Sequence, residues 1–169
     1  MLGSANIGRR TFDRNHGADI VIYAFAVLIG FVAGLRTIVP LAAISLAAYL
    51  GWIDLGTGPL SFIGHIITLA ILVLLTITEL VADQLPSTPS RKVPMQFGTR
   101  IVVGAVAGGL LTGDWLIGLV LGAAGAVIGT IVGADIRNRL AGALGRDLPA
   151  ALIEDAIAVL GAILIVYLV

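Results

Sequence analysis

From Ile20 to Val169 the sequence is a succession of long apolar runs, each rich in Leu, Ile, Val, Ala and Gly and separated by short polar or proline-containing breaks. Such runs constrain the fold more than any other feature. In hydrocarbon no water is at hand to satisfy a backbone N–H or C=O, so each run must close its own hydrogen bonds as a helix. A transmembrane β-barrel would need short alternating segments instead. With 59% hydrophobic and 12% charged residues and a mean hydropathy of +1.08, the chain lies outside the range of soluble domains. The fold class is therefore an all-α, polytopic membrane helical bundle, whose first partner is the lipid bilayer.

The breaks divide the chain. Residues 1–18 carry Arg9, Arg10 and Arg14 and are expected as a polar cytoplasmic tail, followed by a single transmembrane domain over 19–169. The apolar stretch from Ile20 far exceeds the roughly 7 to 15 residues of a signal-peptide core, which makes it a retained anchor. A first crossing over about Ile20 to Leu35 is interrupted by Arg36, Thr37 and Pro40. The run Leu41 to Tyr49 then spans only about 18 Å with its flanks, short of a core of about 30 Å, so a short interfacial or re-entrant helix is predicted. Pro59 opens a second crossing that ends near Ala82. Pro86, Pro89 and Pro94 make a stiff polar connection. A third crossing covers about 99–111, a fourth Trp115 to about Val132, a second short amphipathic helix Asp135 to Gly145, and a fifth runs from Pro149 to the end.

Five crossings with the N-terminus inside put Arg9, Arg10, Arg14, Arg91, Lys92, Arg100, Arg137, Arg139 and Arg146 on the cytoplasmic side and leave Arg36 alone outside, as the positive-inside rule favours. LAAYLG at 46–51 with Asp54, Leu55 and Pro59 parallels LAGALG at 140–145 with Asp147, Leu148 and Pro149. An inverted repeat follows, with units over about 20–83 and 115–169 joined by the helix at 99–111.

Several constellations could carry chemistry. Glycines at four-residue spacing (Gly30 and Gly34, Gly104 and Gly108, Gly118 and Gly122, Gly125 to Gly133) allow close helix approach, either within one bundle or at the contacts of a homo-oligomer. Glu79 and Asp83 share one helix face near the inner end of the second crossing, and Glu154 and Asp155 lie one turn inside the last. Ionisable groups inside a membrane point to function, here an inner proton or cation site, against the plainer role of ion pairs with Arg91 and Arg100. Arg36 with the helix break at Thr37 and Pro40 forms an outer site for an anion or substrate. His65 occupies the position of Asp155 in the repeat and is either a second ligand there or an interfacial polar residue.

Zero cysteines exclude disulfides and thiolate chemistry. Zero net charge without a basic block argues against a nucleic-acid partner. Neither a zinc signature, a phosphate-binding glycine loop nor a serine triad is present, so no cofactor is implied, no metal is named, and nothing positive marks an enzyme.

GLRTIVPLAA (34–43), ELVADQLPSTPSR (79–91) and ALIEDAIA (151–158) resemble a bacterial membrane family of unknown function, family forty-one twenty-six. The resemblance implies an inner-membrane location and adds Pro86 and Pro89 to the matched positions, but implies no activity. The expectation is a small transporter or channel-like protein for an ion or small solute. The rivals are an accessory subunit of a membrane complex and an enzyme acting on phosphorylated lipid headgroups with a divalent cation.

Overall fold

In a computed structural model the chain forms six α-helices, and no strand occurs among the described residues, which are 5–56, 58–84 and 93–169, with side chains described at 17 and from 19 onward. They are α1 Ala5–Leu35, α2 Val39–Tyr49, α3 Ile66–Ala82, α4 Pro94–Thr112, α5 Trp115–Leu144 and α6 Asp147–Leu168, with a short 3-10 helix at Ser61–Gly64 before α3. Three of them, α4, α5 and α6, are long and apolar enough to cross a membrane, while Asp19–Leu35, α2 and α3 are shorter apolar helices. An integral membrane helical bundle follows. The stops have local causes: Gly113 and Gly145 take left-handed conformations (φ 68° and 66°) that end α4 and α5.

Contacts fix the direction of each helix. Gly30 of α1 lies against Gly122 of α5, and Gly34 against Ala126 and Gly129, so α1 and α5 run parallel. Gly104 meets Gly122 and Ala126, and Gly108 meets Gly118, so α4 runs against α5. The Ser45 hydroxyl near the end of α2 donates to the carbonyl of Ile63 just before α3 (2.5 Å), while residues at the start of α2 bond to Glu79 near the end of α3. Those two helices are antiparallel. Tyr167 at the end of α6 meets Trp52 edge-on, with ring centroids 5.4 Å apart. Consecutive helices therefore alternate in direction between two ends of the bundle.

This arrangement corrects several expectations. α1 is helical from Ala5, within the segment expected as a tail. α2 is not interfacial: Val39, Pro40, Ala42, Ala43, Ile44, Ser45 and Ala47 are all buried, whereas an interfacial helix keeps a polar face in water. Its reversal of direction puts the start of α1 and the end of the bundle holding Arg100 and Arg137 on opposite sides, so the arginines cannot be grouped as five crossings required. The expected short helix at Asp135 to Gly145 is continuous with the preceding crossing in a single 30-residue α5 of about 45 Å. Polar residues ended the apolar run there, but backbone hydrogen bonding does not require apolar side chains. Pro59 lies in a turn, and α3 starts only at Ile66. The leading helices of the two repeat units, α1 and α5, are parallel, where an inversion needs them opposed, and α5 has no break at Gly129 to Val132 matching that at Arg36.

Two packing regimes result. α1, α4 and α5 close on glycines: a methyl at Gly125 or Gly129 would fall on the carbonyls of Val27 or Phe31, and one at Gly30 on the carbonyl of Gly122. The glycine stripes are thus consumed inside one chain rather than at the expected contacts between copies. On the other side, α3 packs chiefly on α2 and turns Ile67, Ile71, Leu74, Ile77 and Val81 outward.

Candidate functional site: a charge network at a helix break

The site begins with Pro40, whose ring would clash with a helical carbonyl four residues earlier and whose missing N–H costs nothing in a first turn. Helix α1 accordingly stops at Leu35, Arg36 to Ile38 are irregular, and α2 starts at Val39. A break inside a bundle leaves carbonyls at one helix end and amides at the other, and each must find a partner. Arg100 of α4 donates through Nη1 to the carbonyls of Gly34 and Leu35, both at 2.9 Å. On the other side, the Glu79 carboxylate of α3 accepts from the amides of Thr37 (2.5 Å) and Ile38 (2.8 Å). A cation thus sits on the negative end of α1 and an anion on the positive end of α2, as the helix dipoles favour.

Arg36 fills the gap between them. It is fully buried. Its Nε donates to Asp155 Oδ1 at 2.5 Å, Nη1 donates to Asp83 Oδ2, and Nη2 pairs with Asp155 and lies 3.9 Å from Glu154 Oε2. Glu154 and Asp155, about two turns into α6, are 7% and 8% exposed, so these charges have left water. In a low-dielectric setting such a pair persists only with good geometry and further hydrogen bonds, and removing one partner strands the other at about 3–5 kcal/mol.

Arg137 of α5 closes the network from the end of the bundle. It donates to Asp147 from Nη2 (2.7 Å) and Nε (3.1 Å), reaches the Asp83 carbonyl at 3.3 Å, and lies 3.6 Å from Glu154. Neither Arg137 nor Asp147 stands out in the sequence as a site residue. Their only signal there is the polar interval from Asp135 to Asp147, which breaks the apolar run directly before α6. Beside the network a cleft of about 300 Å³ is lined by Thr37, Ile38, Glu79, Asp83, Gln96 and Arg100, among others.

The structure therefore brings together Arg36, Glu79, Asp83, Arg100, Glu154 and Asp155, with Thr37 contributing its amide. Placing Arg36 on the opposite side from the carboxylates is corrected, because α2 reverses the chain and returns α3 to the end where α1 stopped. His65 does not join them. It is exposed at the far end of α3, where its Nδ1 accepts from the Ile67 amide at 3.3 Å as an N-cap. Arg91, Pro86 and Pro89 lie outside the described residues. Among those described, no three His, Asp or Glu side chains converge as a metal ion requires; the cation between the carboxylates is the Arg36 guanidinium.

A family model described as a domain of unknown function (DUF4126) matches residues 23–168. Every element of the network falls within that span. Neither a curated protein nor a solved structure matches the chain.

Proposed function

The chain belongs to the DUF4126 family, and from that premise we propose that it is a small membrane transporter or channel-like protein for an ion or small solute, with the network around Arg36 as its site. One observation carries the reading. A broken helix inside an apolar bundle is wrapped in buried charges from α3, α4, α5 and α6, and a cleft reaches Glu79 and Asp83. Discontinuous helices and buried ionisable groups at membrane depth are how many transporters build solute and proton sites. Protonation of Asp83 or Asp155 would weaken its hold on Arg36, loosening α3 or α6 from the break and linking occupancy to conformation. The test is flux of protons, monovalent cations and small anions into proteoliposomes, with wild-type protein and with Asp83→Asn. Flux abolished in a folded variant supports the pathway; no wild-type flux across the panel overturns it.

A second reading rests on a different feature of the same network. Arg36 is completely enclosed and Glu79 is engaged as a helix cap, which is what a structural brace in an accessory subunit of a membrane complex needs. Under it, Asp83→Asn costs stability and alters no flux.

The site end carries Arg36, Arg100, Arg137, Arg139 and Arg146, and we place it at the cytoplasm of a bacterial inner membrane by the positive-inside rule. The chain has no cysteine, so the single substitutions Gly142→Cys and Gly56→Cys, made separately, report the two sides directly. An impermeant maleimide added outside intact cells should label only the Gly56→Cys protein. Labelling of the Gly142→Cys protein instead would reverse the assignment.

A further inference from the structure

Along the seam between α2 and α3, the polar cleft abuts an apolar groove of about 230 Å³. The cleft is lined by Thr37 and Ile38 at the start of α2 and Glu79 and Asp83 at the end of α3; the groove continues with Val39, Ala43 and Leu46 on α2, and Leu69 and Val73 on α3, with α6 as its far wall. Leu69, Val73, Thr76, Glu79 and Asp83 follow one stripe of α3, so apolar and charged surface meet on a single face. The groove arises because α3 packs chiefly on α2 and stands clear of α6. In a bilayer it cannot fill with water, since its lining is apolar apart from Thr76.

Thr76 marks what the groove holds. Its hydroxyl is buried and has no hydrogen-bond partner, although a helical threonine ordinarily bonds back to a carbonyl and a buried hydroxyl without a partner is costly. It lies one turn, about 4.5 Å along the axis, below Glu79. A lipid ester carbonyl lies at this depth below its headgroup. Above it stand carboxylates that each retain acceptor lone pairs beyond those already used, with Gln96 and Thr99 of α4 as donors across the cleft.

We propose that this seam is a binding site for a phospholipid whose headgroup ends in a primary ammonium. One acyl chain lies in the groove, an ester carbonyl accepts from Thr76, the phosphate meets Gln96 and Thr99, and the ammonium donates to Glu79 and Asp83. The site stands independently of the transport reading, because lipid retention is measured without flux.

The experiment is native mass spectrometry of the full chain from mixed micelles, offering phosphatidylethanolamine, phosphatidylcholine and phosphatidylglycerol at equal concentration. Phosphatidylcholine keeps the charge but has no N–H, so retention of phosphatidylethanolamine should exceed it roughly tenfold, about what a charge-assisted hydrogen bond supplies. Val73→Phe, which fills the groove at a surface position, should abolish retention, and Asp83→Asn should remove the preference for the ammonium lipid. Thr76→Val gives the same readout as a smaller loss, should Asp83→Asn not fold. Equal retention of the three lipids, or retention unaffected by Val73→Phe, overturns the proposal.

Discussion

The two sides of the bundle solve the same packing problem differently. α1, α4 and α5 approach until backbone meets backbone: a methyl on Gly122 would fall on the Gly104 carbonyl and one on Gly108 on the Gly118 carbonyl. α2, α3 and α6 meet through branched side chains, and Gly161, the lone glycine of α6, has only Val32 near it at 3.9 Å. Without a hydrophobic drive between helices in lipid, close glycine contact maximises dispersion and makes a rigid unit. Aliphatic contact leaves gaps, and a gap in a bilayer takes up hydrocarbon. One side thus acts as frame and the other as the adaptable part, and the Arg36 break joins them.

The sharpest way to break this division is at its joint. Arg36→Met leaves Asp83 and Asp155 buried without their counter-charge and should cost about 3–5 kcal/mol, seen as unfolding at much lower dodecyl sulfate in a detergent titration. Loss below about 1 kcal/mol would mean the carboxylates readily find water or protons, and that the halves are not joined through this residue. Arg36→Lys keeps a charge but loses the fork that spans two carboxylates, and should fall between.

How much of this joint was legible in the sequence depends on the residue. Pro40 announced the break, and the glycine spacing announced close packing, because both act through local geometry. The acidic pairs 79/83 and 154/155 stood out as charges in apolar runs. Their convergence on Arg36 was not legible, since it turns on the direction of α2, and an 11-residue apolar helix looks too short to carry the chain across. Only its burial on nearly all sides, a property of its neighbours, reveals that it does not lie at the interface. Arg137 was hidden for the complementary reason: the polar residues around it ended an apolar run, while the helix continued through them.

The frame itself is tested by volume. Gly30→Ala puts a methyl onto the Gly122 carbonyl, backbone that cannot step aside, and should cost about 1–3 kcal/mol in the same titration. Gly142→Ala has open space around it and should stabilise by up to about 1 kcal/mol through helix propensity alone. Equal effects at the two positions would deny the frame its rigidity. On the adaptable side Val73→Phe adds a larger volume than either, yet should stay within about 0.5 kcal/mol of wild type, as expected where a side chain borders a gap.

The smallest expected effect discriminates most finely. Thr76→Val exchanges a buried hydroxyl without a partner for a methyl of similar shape. In lipid-free detergent the change removes only a desolvation cost and should be neutral or stabilising by about 1 kcal/mol. With phosphatidylethanolamine present the sign should reverse, because the native hydroxyl then has a carbonyl to bond and the variant does not. A tightly packed glycine interface could show no such dependence on added lipid, having no room for it. If the sign is the same with and without lipid, the groove is ordinary loose packing, and the contrast between the two sides is one of density alone.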